Sequence, residues 1–250
     1  MAASLLGSVW RWGRGFDADE LRSHLQALDR LASTGPALGA GAARDPSWRH
    51  HYSEAVIARE RPGTPERGGA FERARAHVSN YDFSDPDIVQ GYFATDRAFL
   101  GRPMLLELKV LGLHLLCGVV VRAIRDETSA ERTLYGYRYD TLEGHPESGA
   151  EWFLLSKDHQ TGEVLFRIEA AWRAGRLPHW WTRVGFYALA SLYQRSWHRR
   201  AYLRLRQFLG AERLPAMPRS REILHSWQPS PMVTSEPASE VPGRILESED

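Results

Sequence analysis

Cysteine and lysine are scarce in this chain, and each shortage closes a route. Cys117 is the one cysteine among 250 residues, so an internal disulfide is impossible and nothing points to an oxidising compartment. It stands in an apolar run, where a thiol serves as a small buried hydrophobe rather than a nucleophile. Lys109 and Lys157 are the only lysines, arginine supplies the rest of the positive charge, and the formal net charge is +1. No global field therefore argues for nucleic acid or an acidic membrane. No apolar run reaches the ~18 residues of a membrane span, and Ala2 to Trp10 lacks the positive flank of a signal peptide. A soluble, cytoplasmic protein without stable membrane insertion is expected. Phosphate-loop, dinucleotide, zincin and nucleophile-elbow motifs are all missing, so no cofactor is expected. His50 and Glu54, one helical turn apart, make only half a metal site, so no metal is expected either.

Aromatic residues are what the chain has in quantity. Nine tryptophans, nine tyrosines and nine phenylalanines either fill a large core or line a pocket. Phe16, Asp17 and Glu20 read as a hydrophobic staple and capping box, opening an amphipathic helix from Asp17 to Ser33. Gly35 to Ala43 is a linker, and Ser47 to Arg59 adds a second short element. Phe71 to Tyr81 fits a strand or a helix. Ser84-Asp85-Pro86-Asp87 then reads as the start of a short helix carrying Ile88, Val89, Tyr92 and Phe93.

Met104 to Arg125 is rich in Leu and Val and broken by Gly112 and Gly118, which predicts two buried strands meeting near Gly112-Leu113. Thr133 to Thr141 alternates, with Tyr135, Tyr137 and Tyr139 on one face. Glu151 to Ser156 and Glu163 to Trp172 complete an antiparallel meander around a hairpin loop ending in Gly162. From Trp181 to Leu209 the period is helical, with Phe186, Leu189, Tyr193, Trp197, Ala201, Leu205 and Phe208 as its stripe, and Gly210 ends it. The fold class expected is α+β: a curved antiparallel sheet wrapped on a long C-terminal helix, the helix-grip arrangement of START-like and birch-allergen-like proteins. Residues 1–69 are expected to form an N-terminal helical extension, 70–210 the helix-grip domain, and 211–250 a largely disordered Pro/Ser/Glu-rich tail. Ile223, Leu224 and Trp227 could dock part of that tail.

Tyr139-Asp140-Thr141-Leu142-Glu143-Gly144-His145 followed by Gly149-Ala150-Glu151-Trp152-Phe153 resembles the Y-G-T-L-x-G-H…G-E-E-x-F signature of an uncharacterised family, domain of unknown function nineteen-ninety. The Gly162-Glu163-Val164 turn, the segment from Trp172 to Leu177, Gly185 and Gln194-Arg195 are similar to it as well. The likeness runs from Met104 to Leu209 and implies a helix-grip shape without an established activity. Asp140 stands where the signature has glycine, and Ala150 replaces the first acid of its Glu-Glu pair.

His145, Glu147 and Glu151 are the candidate catalytic residues, since an imidazole beside carboxylates can exchange protons with a bound molecule. The competing reading is a turn in which His145 and Glu147 cap amides. Strand parity turns Glu151 inward with Phe153 and Leu155, so it needs a partner, for which Arg138 and Arg167 are the candidates. Tyr135, Tyr137, Tyr139, His145, Glu151, Phe153, Phe166, Trp172, Trp181, Tyr187 and Tyr193 are the candidate ligand-binding residues, with Trp180 beside them; plain core is the alternative. Arg195, His198, Arg199, Arg200, Arg204 and Arg206 form a basic stretch on the last helix, which reads as its solvated outer face, with a phosphate or anionic-lipid site as the alternative. The leading functional expectation is binding of a small hydrophobic or amphipathic molecule between sheet and helix. One alternative is a cyclase, hydratase or hydrolase-type enzyme using the same pocket. Another is a protein-interaction module with a solid core and an unknown partner.

Overall fold

The computed structural model describes residues 9–36, 48–175, 180–211 and 221–223, and of residues 174, 180–192 and 221–223 the backbone alone. Its order is β1 (Val9–Trp12), α1 (Ala18–Ala27), β2 (Arg49–Arg59), α2 (Ala70–Ser79), β3 (Val89–Tyr92), β4 (Pro103–Val110), β5 (Leu113–Thr128), β6 (Arg132–Thr141), β7 (Glu147–Asp158), β8 (Glu163–Ala174), α3 (Trp180–Leu209) and β9 (Arg221–Ile223). All pairs are antiparallel, in the order β3-β4-β5-β6-β7-β8-β2-β9, with β1 paired to β5. This is the expected helix-grip: a continuous sheet whose inner face is covered by α2 and the long α3.

Alternation along the strands sorts the two faces. Inward go Ala55 and Ile57 of β2, Cys117, Val119 and Val121 of β5, Tyr135, Tyr137 and Tyr139 of β6, Phe153 and Leu155 of β7, and Phe166 and Ile168 of β8. Trp197, Ala201, Tyr202, Leu205 and Leu209 of α3 meet them. Phe153 is the hub, with ring centroids of Phe83, Tyr137 and Tyr139 at 4.8, 5.2 and 5.2 Å. On the outer face Leu105, Leu116 and Leu142 are covered by Leu28 and α1.

The capping box at α1 forms as read: the Asp17 carboxylate accepts from the Asp19 and Glu20 amides, while Glu20 accepts from the Asp17 amide. Leu111 and Gly112 turn β4 into β5 with φ of 50° and 82°. Two readings need correction, at residues 49–59 and 85–87, and one left open between strand and helix is decided. Residues 49–59 are a strand of the main sheet between β8 and β9, not part of a helical extension. Phe71 to Tyr81 is mostly helix, because Ala70, Phe71, Ala74 and Val78 recur at helical spacing against the core. Asp85-Pro86-Asp87 makes only a turn, after which Val89 pairs with Leu108. Sheet pairing overrides the helix-start signal there. No helix among the described residues is long and apolar enough to cross a membrane. Of the tail, only 221–223 is described, as β9 on β2.

Candidate functional site

Five elements bring polar side chains together beneath α3. β7 supplies Glu151 and Glu147 on the inner face, and β6 supplies Tyr139, directly opposite Glu151 in register. β2 contributes His51 and Ser53, two residues apart and so on one face. α3 adds His198 and Tyr202, one turn apart beside the Trp197–Ala201–Leu205 stripe. The fifth, β5, carries Cys117 on the same inner face.

The bonds form a chain. The Tyr139 hydroxyl donates to Glu151 Oε2 at 2.5 Å. Ser53 Oγ lies 2.6 Å from both the Tyr202 hydroxyl and His198 Nδ1, and His51 Nε2 is 3.3 Å from that same nitrogen. With Tyr202 donating to Ser53 and Ser53 to Nδ1, the neutral His198 carries its proton on Nε2, which faces Glu151 Oε1 at 3.7 Å. His198 is sealed from solvent, whereas the Glu151 side chain keeps 11% of its surface open and Glu147 is half-buried. Solvent therefore touches the carboxylates slightly and the imidazole not at all.

Burial sets the charge states. It pushes Glu151 up to about 7, and burial together with the neighbouring Glu151 does the same to Glu147. Burial drives His198 down to about 3, and burial with the nearby His198 drives His51 equally low. At neutral pH the imidazoles are uncharged and the two acids are near mid-titration. Burial also raises the Cys117 thiol and the Tyr139 and Tyr202 phenols, leaving all three protonated.

Some residues singled out in the sequence lie here and others elsewhere. Glu151 and Tyr139 are in the cluster, and Glu147 stands on the same face of β7, four residues before Glu151. His145 is half-buried in the β6–β7 turn, its Nδ1 accepting the Glu147 amide at 3.1 Å, and burial holds it down at about 4. Tyr137, Phe153 and Phe166 belong to the packed ring cluster. Tyr135 binds Ser79 Oγ at 2.6 Å under α2. Trp172 stacks with Arg49 at 5.2 Å. Tyr193 lines a surface cleft of about 430 Å³ between α3 and the β4–β5 turn, with Ile88, Lys109, Leu111 and Arg200. Trp180, Trp181 and Tyr187 lie outside the residues whose side chains are described.

Neither arginine expected to meet Glu151 does so. Arg138 pairs with Trp152 in register and Arg167 with Leu154, positions on the outer face. There Arg138 binds Asp140 at 2.7 Å and the Pro36 carbonyl, and Arg167 binds Glu169. The signature's missing glycine is thus an ion-pair partner, Asp140, and Ala150 faces outward, away from Glu151. The solvated-face reading of α3 fails at His198, which is interior, and at Arg206, which is buried and donates to the Val56 carbonyl. It holds for Arg195, Arg199 and Arg200, which are exposed. His50 and Glu54 sit on a strand rather than a helix, so their spacing loses its metal-ligand meaning. His51, Ser53, His198 and Tyr202 were missed. The alternation His51, Ser53, Ala55, Ile57 was the available signal, as was the spacing 198, 201, 202, 205.

No curated protein matches the chain. Among solved structures it is similar to Ara h 8.0201, at 11% identity and a TM-score of 0.38 over 66% of this chain and 99% of that one. It is also similar to an uncharacterized protein from Rhizobium leguminosarum, at 10% identity and a TM-score of 0.31 over 65% and 97%. Residues 34–204, more than half of the chain and including both β2 and the polar part of α3, match the family described as Domain of unknown function (DUF1990), and the chain belongs to that family.

Proposed function

We propose that the protein holds a small amphipathic molecule between the sheet and α3, its polar end at Glu147 and Glu151. One observation carries this reading. Two carboxylates share the inner face of β7, and among the described residues neither meets a lysine or arginine. Ionised, each would cost several kcal/mol without compensation. A ligand hydroxyl or amine donating to them supplies that compensation, while the surrounding rings take its apolar body. The remaining ring-filled interior leaves the polar end, not the middle of the sheet, as the place for recognition. Extraction of the purified protein followed by mass spectrometry tests this. A small molecule released from wild type and depleted from Glu151→Ala supports it; a protein that carries nothing and takes up no amphipath from a lipid extract overturns it.

A second reading has its own support. The relay Tyr202–Ser53–His198 ends at an acid titrating near neutral pH, which suits general acid–base work in a hydratase, cyclase or hydrolase reaction. In that case His198→Ala retains ligand and loses turnover. Retained turnover in that variant defeats the relay.

A further inference from the structure

Five large hydrophobic side chains stand exposed among the described residues, and three of them are Trp10 (53%), Trp12 (72%) and Leu111 (70%). Trp10 and Trp12 stand on β1, and Leu111 stands in the β4–β5 turn beside the turn that ends β1. The Gly13 amide donates to the Gly112 carbonyl at 2.8 Å, and β1 pairs with β5 from Val9↔Leu116 to Trp12↔Leu113, which locks the two turns into one tip. Val9 packs outward under α1, so Trp10 and Trp12 project on the opposite side, with Cys117 and Val119.

Leu111 adds an independent observation. Its φ of 50° lies in the left-handed region, at the apex of a two-residue hairpin where Asn, Asp or Gly sit without strain. A strained leucine held outward into solvent gains nothing for folding and points to a use elsewhere. Charge completes the pattern. Residues 9–16 and 108–116 contain Arg11, Arg14, Lys109 and His114, with Asp17 and Glu107 just beyond their ends and Asp87 in the cleft beside Lys109 and Leu111, and Arg14 is exposed. Glu20 and Glu107 stand behind the tip, holding Arg11 and His114 in place.

We propose that this tip docks on an anionic bilayer surface, with Trp10, Trp12 and Leu111 entering the headgroup boundary and Arg14 meeting lipid phosphate. Indole rings favour that boundary, and two aromatics with one aliphatic beside a cation form an interfacial anchor without any span. A projecting pair of turns suits a soft planar surface better than the rigid concavity of a protein partner. The inference does not depend on the ligand reading, since docking requires nothing of Glu147 or Glu151.

Vesicles of phosphatidylcholine containing about a third phosphatidylserine test it by co-sedimentation and by tryptophan emission. Wild type is expected to sediment with a blue-shifted emission, less so on phosphatidylcholine alone. Trp12→Ser and Leu111→Asn are each expected to weaken binding by at least about tenfold, the loss of one buried apolar side chain. Leu111→Asn should also melt at a higher temperature, because asparagine tolerates the left-handed conformation, so weakened binding cannot be laid to misfolding. Unchanged vesicle binding in both variants overturns the proposal. So does a wild-type dimer that Leu111→Asn converts to monomer with no vesicle binding in either form, which makes the tip a contact between copies.

Discussion

An acid in an apolar interior can do without a cation if its proton stays on, and that condition makes Glu151 a pH sensor. Its folded value of about 7 stands above the ordinary 4.5. The folded state therefore holds more protons than the unfolded chain across that interval, and stability from this group is complete below about 4.5 and lost as pH rises towards 7. The loss amounts to about 3 kcal/mol above neutrality. Glu151→Gln keeps an acceptor for Tyr139 and abolishes the titration. Its melting temperature should match wild type near pH 4.5 and exceed it at pH 8; melts across that range check this, and a constant offset would contradict it. His51 and His198 work in the opposite sense. Their folded values near 3 lie below the usual 6.5, so the stability they confer is present above about 6.5 and lost as pH falls towards 3. The two residue types oppose each other between about 4.5 and 6.5. Gly136 shows a different constraint at the same scale. A Cβ there would collide with the Phe153 carbonyl across the ladder, so Gly136→Ala is expected to cost about 2 kcal/mol or more in chemical denaturation.

Elements are held to one another by a few buried polar links, and one of these ties the end of β2 to α2 and β7. Glu60 accepts from the Phe71 amide at 2.7 Å, doing for the first turn of α2 what its Gly69 cap lacks the side chain to do. The same carboxylate takes the wholly buried Lys157 ammonium at 2.6 Å. Lys157→Met should leave Glu60 charged and unpaired and cost about 3–5 kcal/mol, whereas Lys157→Met with Glu60→Gln should recover most of it. Urea melts of the two variants decide the point, and equal destabilisation of both would contradict it. Legibility also divides at this scale. The β4–β5 turn, the α1 capping box and the C-terminal helix were readable because each rests on local chemistry: a glycine, a reciprocal cap, an apolar stripe. β2 and β3 were not, since their strand state depends on partners distant in sequence. His198 was lost among arginines, because a helical pattern scored by charge alone hides an interior imidazole at the edge of the stripe.

The whole molecule depends on an early strand reaching the far side of a sheet whose other members are nearly consecutive. β2 lies between β8 and β9, and its inner face brings Ala55 and Ile57 to the core and His51 and Ser53 to the polar cluster. Residues 1–69 are thus divided in role. The family match starts at residue 34 and so includes β2, while β1 and α1 cover Leu105, Leu116 and Leu142 from outside. Two fragments separate these roles. One beginning at residue 70 loses β2, exposes the inner edge of β8 and leaves Lys157 without Glu60, so it should show no cooperative melt by circular dichroism. One beginning at residue 34 keeps β2 to β9 and the acid cluster, while it strips β1 from its pairing with β5 and uncovers the outer leucines. It should melt cooperatively at a lower temperature and bind hydrophobic dye more strongly than the full chain. A cooperative melt from the fragment starting at residue 70 would mean that the meander and α3 close a core by themselves, and that β2 serves the polar cluster rather than the fold.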